Sequence, residues 1–192
     1  MNSPADLYIS ADIEADGAIP GRFSMLSFGL AVAGRYDGNR FQRRDPQIQT
    51  FYRELRPISE EFDRGALDVA GLDREELQRT GADPKLAMSE AADFVRGVAG
   101  ADRPVLVGFP VTFDWMFLYW YFVNFTGDSP FEFSSALDMK SIFQTKAGVV
   151  LSDAGKDDLP QDLQSGRPHT HNALDDAMEQ ADIFANLFVW TP

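Results

Sequence analysis

The first third of the chain alternates short apolar runs with turn residues. Apolar runs over residues 7–11 and 24–33 predict two strands, and the apolar–polar alternation over residues 48–55 predicts a third that pairs antiparallel with the second. The dipeptides Asp16-Gly17 and Asp37-Gly38 are turn signals after the first and second runs. This pattern predicts an antiparallel meander.

The remaining two thirds of the chain predict helices that alternate with strands. In chain order, the predicted elements are a short helix near residues 73–78, a helix over 84–98, a buried strand over 104–109, a helix over 114–125, a strand within 134–143 and an amphipathic helix over 171–189. The acidic segment 145–168 predicts a mobile or lid-like loop. A meander followed by helix–strand alternation indicates a single α/β domain, residues 1–192, with a sheet of mixed direction.

Composition narrows the classes of protein. The 192 residues are 44% hydrophobic, which is enough for the packed core of one domain. The chain has no cysteine, which excludes a disulfide scaffold, a thiolate zinc site and a cysteine nucleophile. A net charge of −13 disfavours a broad nucleic-acid groove, because such grooves depend on many Lys/Arg–phosphate contacts. Any nucleic-acid substrate is therefore expected to be short, or to be held only at its end.

Two features bear on location and assembly. The N-terminus lacks a basic segment followed by an apolar core, so we expect no secretory signal. The longest strongly apolar stretch, residues 115–123, is far shorter than the ~20 residues that a membrane helix needs. We expect a soluble, cytoplasmic protein with no membrane contact. Because the helix containing this stretch is apolar almost all round, a homodimer is expected if the domain alone cannot bury it.

Asp12 and Glu14 directly follow the first apolar run. Residues two apart in a strand project to the same face, so both carboxylates can meet one cation if the strand continues that far. Two like charges at the end of a buried strand are costly without such a cation. The alternative is an acidic cluster beside the turn at Asp16-Gly17, and the spacing alone leaves both explanations open.

Asp114 follows the predicted strand over residues 104–109 and opens the next helix. Open α/β sheets bind ligands at that edge, which favours a ligand role. A carboxylate in a first helical turn also stabilises the helix dipole without any further role. Taken alone, the position of Asp114 favours a structural role at the start of the helix.

The last helix separates two neighbouring carboxylates. At about 100° per residue, Asp175 falls on the polar face with Glu179, whereas Asp176 falls on the apolar side near Ile183. A carboxylate that points at the core requires a cation or strong hydrogen bonds. Asp176 is therefore the candidate ligand, and Asp175 is expected to be solvated.

Two histidines precede this helix. His171 lies five residues before Asp176, and on a continuous helix the two side chains would diverge by about 140°. His171 is therefore expected in the loop or at the helix cap, leaning over a metal site. The alternative is a capping or surface histidine. His169 is expected to make no more than an indirect contact with the site.

Together, these residues resemble the motifs of the DEDDh exonucleases, the DnaQ-like group that includes RNase T, oligoribonuclease and polymerase proofreading subunits. Asp12-Ile13-Glu14 follows a hydrophobic strand, and Asp114 follows the run VLVGF. Residues 171–176 have the sequence His-Asn-Ala-Leu-Asp-Asp, which fits the family's H-x-A-x-x-D. The three motifs occur in the family's order and the resemblance spans nearly the whole chain.

The resemblance implies an RNase H-like fold, with a mixed five-stranded sheet of order 3-2-1-4-5 flanked by helices. It implies two Mg²⁺ or Mn²⁺ ions on Asp12, Glu14, Asp114 and Asp176, since these ions prefer oxygen ligands. It also implies that His171 is the general base for a metal-activated water. The expected enzyme is a two-metal-ion 3′→5′ exonuclease. Its partner is the 3′ end of single-stranded DNA or RNA, from which it releases nucleoside 5′-monophosphates.

One departure from the family affects the substrate end. Many relatives carry His-Asn a few residues before the second-motif Asp, where residues 108–111 here are Gly-Phe-Pro-Val, so the usual substrate contacts are in doubt. Nearby apolar and aromatic residues are candidates for stacking on terminal bases, with ordinary core positions as the alternative, and two arginines are candidates for phosphate contacts. These candidates are Met25, Leu26, Phe109, Phe113, Arg22 and Arg167.

Two other functions fit the same residues. An oligoribonuclease-like enzyme specific for very short RNA suits the acidic composition. A non-catalytic nucleic-acid-binding module on the same fold is the alternative outside the enzymes, and the full set of four acids and one histidine argues against it.

Overall fold

The structure is a computed structural model that describes residues 4–192, and its centre is a six-stranded mixed sheet. The strands are β1 (Asp6–Ala15), β2 (Met25–Tyr36), β3 (Phe41–Arg43), β4 (Thr50–Glu54), β5 (Arg103–Gly108) and β6 (Ala136–Asp138). β2 lies antiparallel to β1, β3 and β4, whereas β5 lies parallel to β1 and β6. With β4 as the third predicted strand, the predicted order 3-2-1-4-5 is confirmed, and the short β3 is an addition to it.

Six α-helices flank the sheet: α1 (Arg64–Ala70), α2 (Arg74–Thr80), α3 (Pro84–Ala99), α4 (Val111–Thr126), α5 (Met139–Ala147) and α6 (Ala173–Val189). Five of them begin at a side chain that accepts hydrogen bonds from first-turn amides: Asp63, Asp73, Asp83, Asp138 and Asn172. Part of the chain's acidic composition therefore stabilises helix starts. The sequence pattern did not predict α1 and α5, because both are short and lie among polar residues.

The middle strand, β1, divides the domain into two cores. Ile9, Ala11 and Ile13 pack on one face with residues of α3 and α4. The intervening positions face α6, as shown by the hydrogen bond between Gln180 of α6 and Asp12. Residues of β1 with even numbers therefore point into the interface between the sheet and α6.

The acidic segment 145–168 begins inside α5 and then packs against the domain. Two short 3₁₀ turns interrupt it, and three of its apolar side chains are buried in the core beside α6: Ala154, Leu159 and Leu163. Lys146 donates its Nζ hydrogens to the last carbonyls of α6, including that of Leu187 at 2.8 Å. The segment is thus part of the packed domain rather than the free lid that was predicted.

Helix α4 is covered mainly by its own domain. Phe117, Leu118, Tyr121 and Phe122 are buried against α3 and the sheet. The condition on which a homodimer was expected, an apolar helix that its own domain cannot bury, is therefore not met, and the dimer remains a prediction without structural support. Between residues 4 and 192, no helix combines the length and the apolar character that crossing a membrane requires.

A glycine in β2 allows α6 to cross the sheet closely. An ideal Cβ on Gly29 would lie 2.3 Å from the carbonyl oxygen of Ala173 and 2.5 Å from the Cα of Leu174, both backbone atoms of the first turn of α6. Only a residue without a side chain permits that approach. Since Gly29 pairs with Asp12 across the sheet, the crossing brings the start of α6 beside Asp12.

We expect Gly29→Ala to lower the free energy of unfolding by about 1–3 kcal/mol, because the added methyl meets backbone that cannot move aside. The control is Gly97→Ala in α3, where an added Cβ meets nothing within 4 Å. Alanine favours a helix interior, so this variant should gain up to about 1 kcal/mol. Urea unfolding of both variants tests the pair. Equal stability of Gly29→Ala and the wild type would contradict the close crossing.

Candidate active site

Strand β1 carries the first two predicted ligands. It continues through Ala15, so Asp12 and Glu14 lie two apart on regular strand and point to the same face, as the metal-site interpretation requires. Asp12 pairs across the sheet with Gly29, under the first turn of α6. Only 9% of the surface of Glu14 is exposed, so this pair is not a solvated acidic cluster.

Helix α6 carries the third predicted ligand on its buried side. Asp176 is 1% exposed, whereas Asp175 is exposed to solvent, so the predicted difference between these neighbours is confirmed. Two backbone amides hold the Asp176 carboxylate: Thr170 N–H donates to Oδ1 and His171 N–H donates to Oδ2, each at 2.9 Å. The loop before α6 is therefore anchored on the carboxylate itself.

The carboxylates converge, although they come from distant parts of the chain. One oxygen from each of Asp12, Glu14 and Asp176 lies within 4.8 Å of the others. Asp114, in the first turn of α4, is also buried, and its Oδ1 accepts a hydrogen bond from the backbone amide of Ile13 at 3.0 Å. That bond fixes α4 to the strand residue between Asp12 and Glu14.

Crowding and burial disfavour the charged carboxylates when no cation is bound. Burial raises the pKa of the Asp12 carboxyl well above its ordinary value, and the charges of Asp114 and Asp176 raise it further. Burial, with the charges of Asp12 and Asp176, raises the pKa of Glu14 to about 8. Burial raises the pKa of Asp114 to about 7, against the amide hydrogen bond from Ile13. An all-oxygen donor set of this charge fits divalent cations such as Mg²⁺ or Mn²⁺.

One residue of the site was missed by the sequence analysis. Gln180 lies one turn after Asp176 on the buried side of α6, and its Nε2 donates to Oδ1 of Asp12 at 2.6 Å. Its Oε1 is buried and has no protein hydrogen-bond partner. The sequence did contain a signal for this residue: Gln180 is a polar residue on the apolar side of the predicted helix. A buried amide requires hydrogen-bond partners, so its position indicates a polar contact in the core.

The two histidines lie in the loop before α6. His171 precedes the N-cap residue Asn172, is exposed, and has a left-handed backbone with φ of 58°. The predicted placement of His171 outside the helix is confirmed. His169 approaches the carboxylates more closely than predicted: its Nδ1 is 3.2 Å from Oδ1 of Asp176 and 3.1 Å from Oε2 of Glu179.

Three of the proposed substrate contacts are core residues. Met25 and Leu26 have no exposed surface, because β2 turns both into packed clusters, and Phe109 is buried against the second core. These three predictions are wrong, and the alternative core explanation holds. The two arginines pair with carboxylates instead of standing free: Arg22 contacts Glu61 at 2.9 Å.

The second arginine, Arg167, contacts Asp182 at 2.9 Å.

Phe113 is the aromatic candidate that reaches solvent, at 38% exposure. It borders a cleft of about 440 Å³ that opens beside Glu14. Apolar side chains from β1, the following loop and α1 form most of the remaining wall: Ile13, Ala15, Ala18, Phe23, Ala66 and Val69.

A known protein resembles this chain over nearly its whole length. The chain is 35% identical over 185 residues to the 3′-5′ DNA exonuclease Cap18 of Escherichia coli, and the similarity covers 96% of this chain and 92% of that protein. No family model matches the chain. Identity of this extent indicates common descent.

Solved structures share the fold at low sequence identity. Cell-death related nuclease 4 (CRN-4) has a TM-score of 0.67 at 14% identity, over 98% of this chain and 65% of that one, so this chain spans about two thirds of its length. The nuclease domain of 3′hExo, a DEDDh family member bound to rAMP, has a TM-score of 0.66 at 16% identity, over 98% and 94%. E. coli Exonuclease I with a dA16 oligonucleotide has a TM-score of 0.66 at 14% identity, over 95% and 40%.

The raised carboxyl pKa values predict that alkaline pH destabilises the metal-free protein. The pKa of Glu14 is about 8 in the folded protein against an ordinary value of 4.5, so between those values the folded state holds a proton that the unfolded chain has released. The free energy of unfolding then falls as pH rises through that window. In EDTA, we expect the melting temperature to fall by several degrees from pH 5 to pH 8, and Mg²⁺ to raise it more at pH 8 than at pH 5.

The comparison that isolates this effect uses two glutamine variants. Glu14→Gln removes the titrating group and should flatten the fall in melting temperature. Glu60→Gln, at an exposed position, should leave it unchanged. The same pH dependence in wild type and Glu14→Gln would contradict the attribution.

Proposed function

This chain belongs to the DEDDh family of 3′→5′ exonucleases, and we propose that it removes nucleotides one at a time from the 3′ end of single-stranded DNA. Family membership supports the polarity and the reaction. The DNA substrate is proposed because the E. coli relative at 35% identity is a DNA exonuclease. The observation that carries the proposal is the convergence of Asp12, Glu14 and Asp176 within 4.8 Å, beside a cleft of nucleotide size.

We propose that Asp12, Glu14 and Asp176 hold two divalent cations and that Asp114, whose charge raises the pKa of Asp12, completes the set. The raised pKa values of these carboxyls support this, because buried like charges become tolerable when a cation offsets them. Bound Mg²⁺ or Mn²⁺ would supply an activated water and stabilise the charge that develops on the scissile phosphate. Gln180 would hold Asp12 in one orientation through the 2.6 Å hydrogen bond.

His171 is proposed as the general base. It stands in solvent at the entrance to the carboxylates, and its backbone amide is tied to Asp176. Imidazole is the side chain that most often acts as a general base, and it can take a proton from a bound water. The tie to Asp176 keeps the imidazole close to the position where that water would be bound.

The apolar cleft is proposed to receive the terminal nucleoside. Its volume of about 440 Å³ and its wall of apolar and aromatic groups fit a sugar and a base, and its opening beside Glu14 puts the last phosphodiester near the carboxylates. Stacking on Phe113 would be tolerant of sequence, since every base has an aromatic face.

The charge of the protein favours a grip on the end of the strand. The net charge is −13, and Arg22, Arg53, Arg96 and Arg167 each pair with a carboxylate. With the other ion pairs, ten of the 17 Lys and Arg side chains are paired with carboxylates, which leaves seven for a long phosphate backbone. The same observation favours a second candidate, an enzyme for very short RNA, and rates on two- to five-nucleotide RNA compared with longer single-stranded DNA would distinguish the two.

The catalytic set can be tested with single-stranded DNA labelled at one end. Wild-type protein with Mg²⁺ or Mn²⁺ should release a labelled mononucleotide at once from a 3′ label and give a ladder from a 5′ label. Asp176→Asn should lose activity by about a thousandfold or more, since cation binding is worth several kcal/mol in the transition state. His171→Gln should lose about 10²–10⁴-fold, as expected for a general base.

The control for this set is Asp175→Asn, an exposed neighbour on the same helix. It should stay within about twofold of wild type, as surface substitutions usually do. Equal losses at Asp175 and Asp176 would reject the assignment of Asp176. Nucleic-acid binding without mononucleotide release at any metal concentration would favour the non-catalytic module instead.

The cleft can be tested through its exposed aromatic ring. Phe113→Ala should raise KM for single-stranded DNA by about 5- to 150-fold and change kcat less, because base stacking is worth about 1–3 kcal/mol. Phe133→Ala is the control, since this ring is 79% exposed and does not line the cleft. An unchanged KM in Phe113→Ala would place the terminal base elsewhere.

A further inference from the structure

A second group of potential metal ligands lies on the solvent side of Asp176. One ligand atom from each of His169, His171 and Asp176 lies within 4.8 Å of the other two. Glu179 adds a fourth group, because its Oε2 is 3.1 Å from Nδ1 of His169. Both imidazoles are exposed, so an ion from solvent can reach them.

Nδ1 of His169 faces two carboxylate oxygens at once. It lies 3.2 Å from Oδ1 of Asp176 and 3.1 Å from Oε2 of Glu179. A ring nitrogen carries at most one hydrogen, so a neutral imidazole can align well with only one of these oxygens. A cation between the three atoms would contact the nitrogen and both oxygens together.

The spacing also matches a tetrahedral ion. Zinc binds nitrogen and carboxylate oxygen at about 2.0–2.2 Å, so neighbouring ligand atoms of a tetrahedral site lie about 3.3–3.5 Å apart. The two distances from His169 are 3.2 and 3.1 Å, slightly less than that edge. Lys156 donates to the same oxygen, Oε2 of Glu179, at 3.0 Å, so zinc would use the remaining lone pair of Oε2 or the other oxygen of that carboxylate.

The ligand types separate this group from the carboxylate cluster on the other side of Asp176. Magnesium prefers oxygen ligands and retains several waters, whereas imidazole nitrogen suits zinc. The pair of histidines therefore favours a different ion from the one proposed for Asp12, Glu14 and Asp176. Asp176 alone is common to both groups.

We propose that His169, His171, Asp176 and Glu179 form a binding site for Zn²⁺, and that zinc bound there inhibits the nuclease. Inhibition rests on the proposed function, whereas zinc binding does not. A nitrogen of His171 that is bound to zinc cannot accept a proton from water. Zinc would also draw on the carboxylate of Asp176, which the proposed reaction needs for a different cation.

Zinc binding is tested by calorimetric titration in millimolar Mg²⁺, in the Asp12→Asn background, which disables the carboxylate cluster. One zinc ion per chain is expected. His169→Gln and, separately, Glu179→Gln in the same background should weaken binding by about tenfold or more, because each removes a ligand but retains hydrogen-bonding capacity. Asp175→Asn, which leaves all four ligands in place, should bind zinc like the background protein.

Inhibition is tested by adding Zn²⁺ to wild type and His169→Gln at fixed Mg²⁺ with single-stranded DNA. Each rate is divided by the zinc-free rate of the same variant, so a change in basal activity does not enter. The zinc concentration for half inhibition should be about tenfold or more higher in His169→Gln. Asp175→Asn should keep the wild-type value.

The outcomes are distinct. Absence of zinc binding, or equal zinc affinity in the background protein and in His169→Gln, would overturn the site. Equal inhibition of wild type and His169→Gln would mean that zinc acts by replacing Mg²⁺ on the carboxylates, and would overturn the inhibitory role. Zinc binding that depends on His169, together with no nuclease activity in the wild type, would support the site and count against the proposed function.

Discussion

Mutual repulsion of carboxylates at the centre of the sheet is the constraint on which the rest of the structure depends. Strand β1 and helix α6 bring acidic side chains to one point, and Asp114 of α4 lies near enough for its charge to raise the pKa of Asp12. Burial penalises the charge on these groups. Hydrogen bonds keep these groups in place: the amide of Ile13 on Asp114, the loop amides on Asp176, and Gln180 on Asp12. These hydrogen bonds hold the carboxyls in an arrangement that a bound divalent cation would make favourable.

The tertiary arrangement that permits this convergence is local and steric. Gly29 lets the first turn of α6 lie against β2 at a distance that any side chain would block. This approach places the start of α6, which carries Asp176, beside Asp12 on the neighbouring strand. The site thus depends on the absence of a side chain at Gly29 as well as on the acidic residues.

Much of the fold and of the carboxylate site could be predicted from periodicity. The position of Asp176 on the apolar side of a helix, and of Asp12 and Glu14 two apart at the end of a buried run, follow from regular element geometry. The cleft could not be predicted in this way, because α1, which forms one of its walls, is seven residues long and has little apolar pattern. Met25, Leu26 and Phe109 were misassigned because an apolar residue near a motif has the same sequence signal whether it faces a substrate or the core.

The two amides that Asp176 accepts have a consequence for how the site is dissected. The same carboxylate is a proposed ligand and the anchor of the segment that carries His171. Removing its charge would weaken the hydrogen bonds to that segment as well as cation binding, so one substitution would affect two functions together. A loss of nuclease rate after substitution of Asp176 would combine the effects on cation binding and on the position of His171. Substitution of the His171 imidazole itself is needed to measure the effect on proton transfer separately.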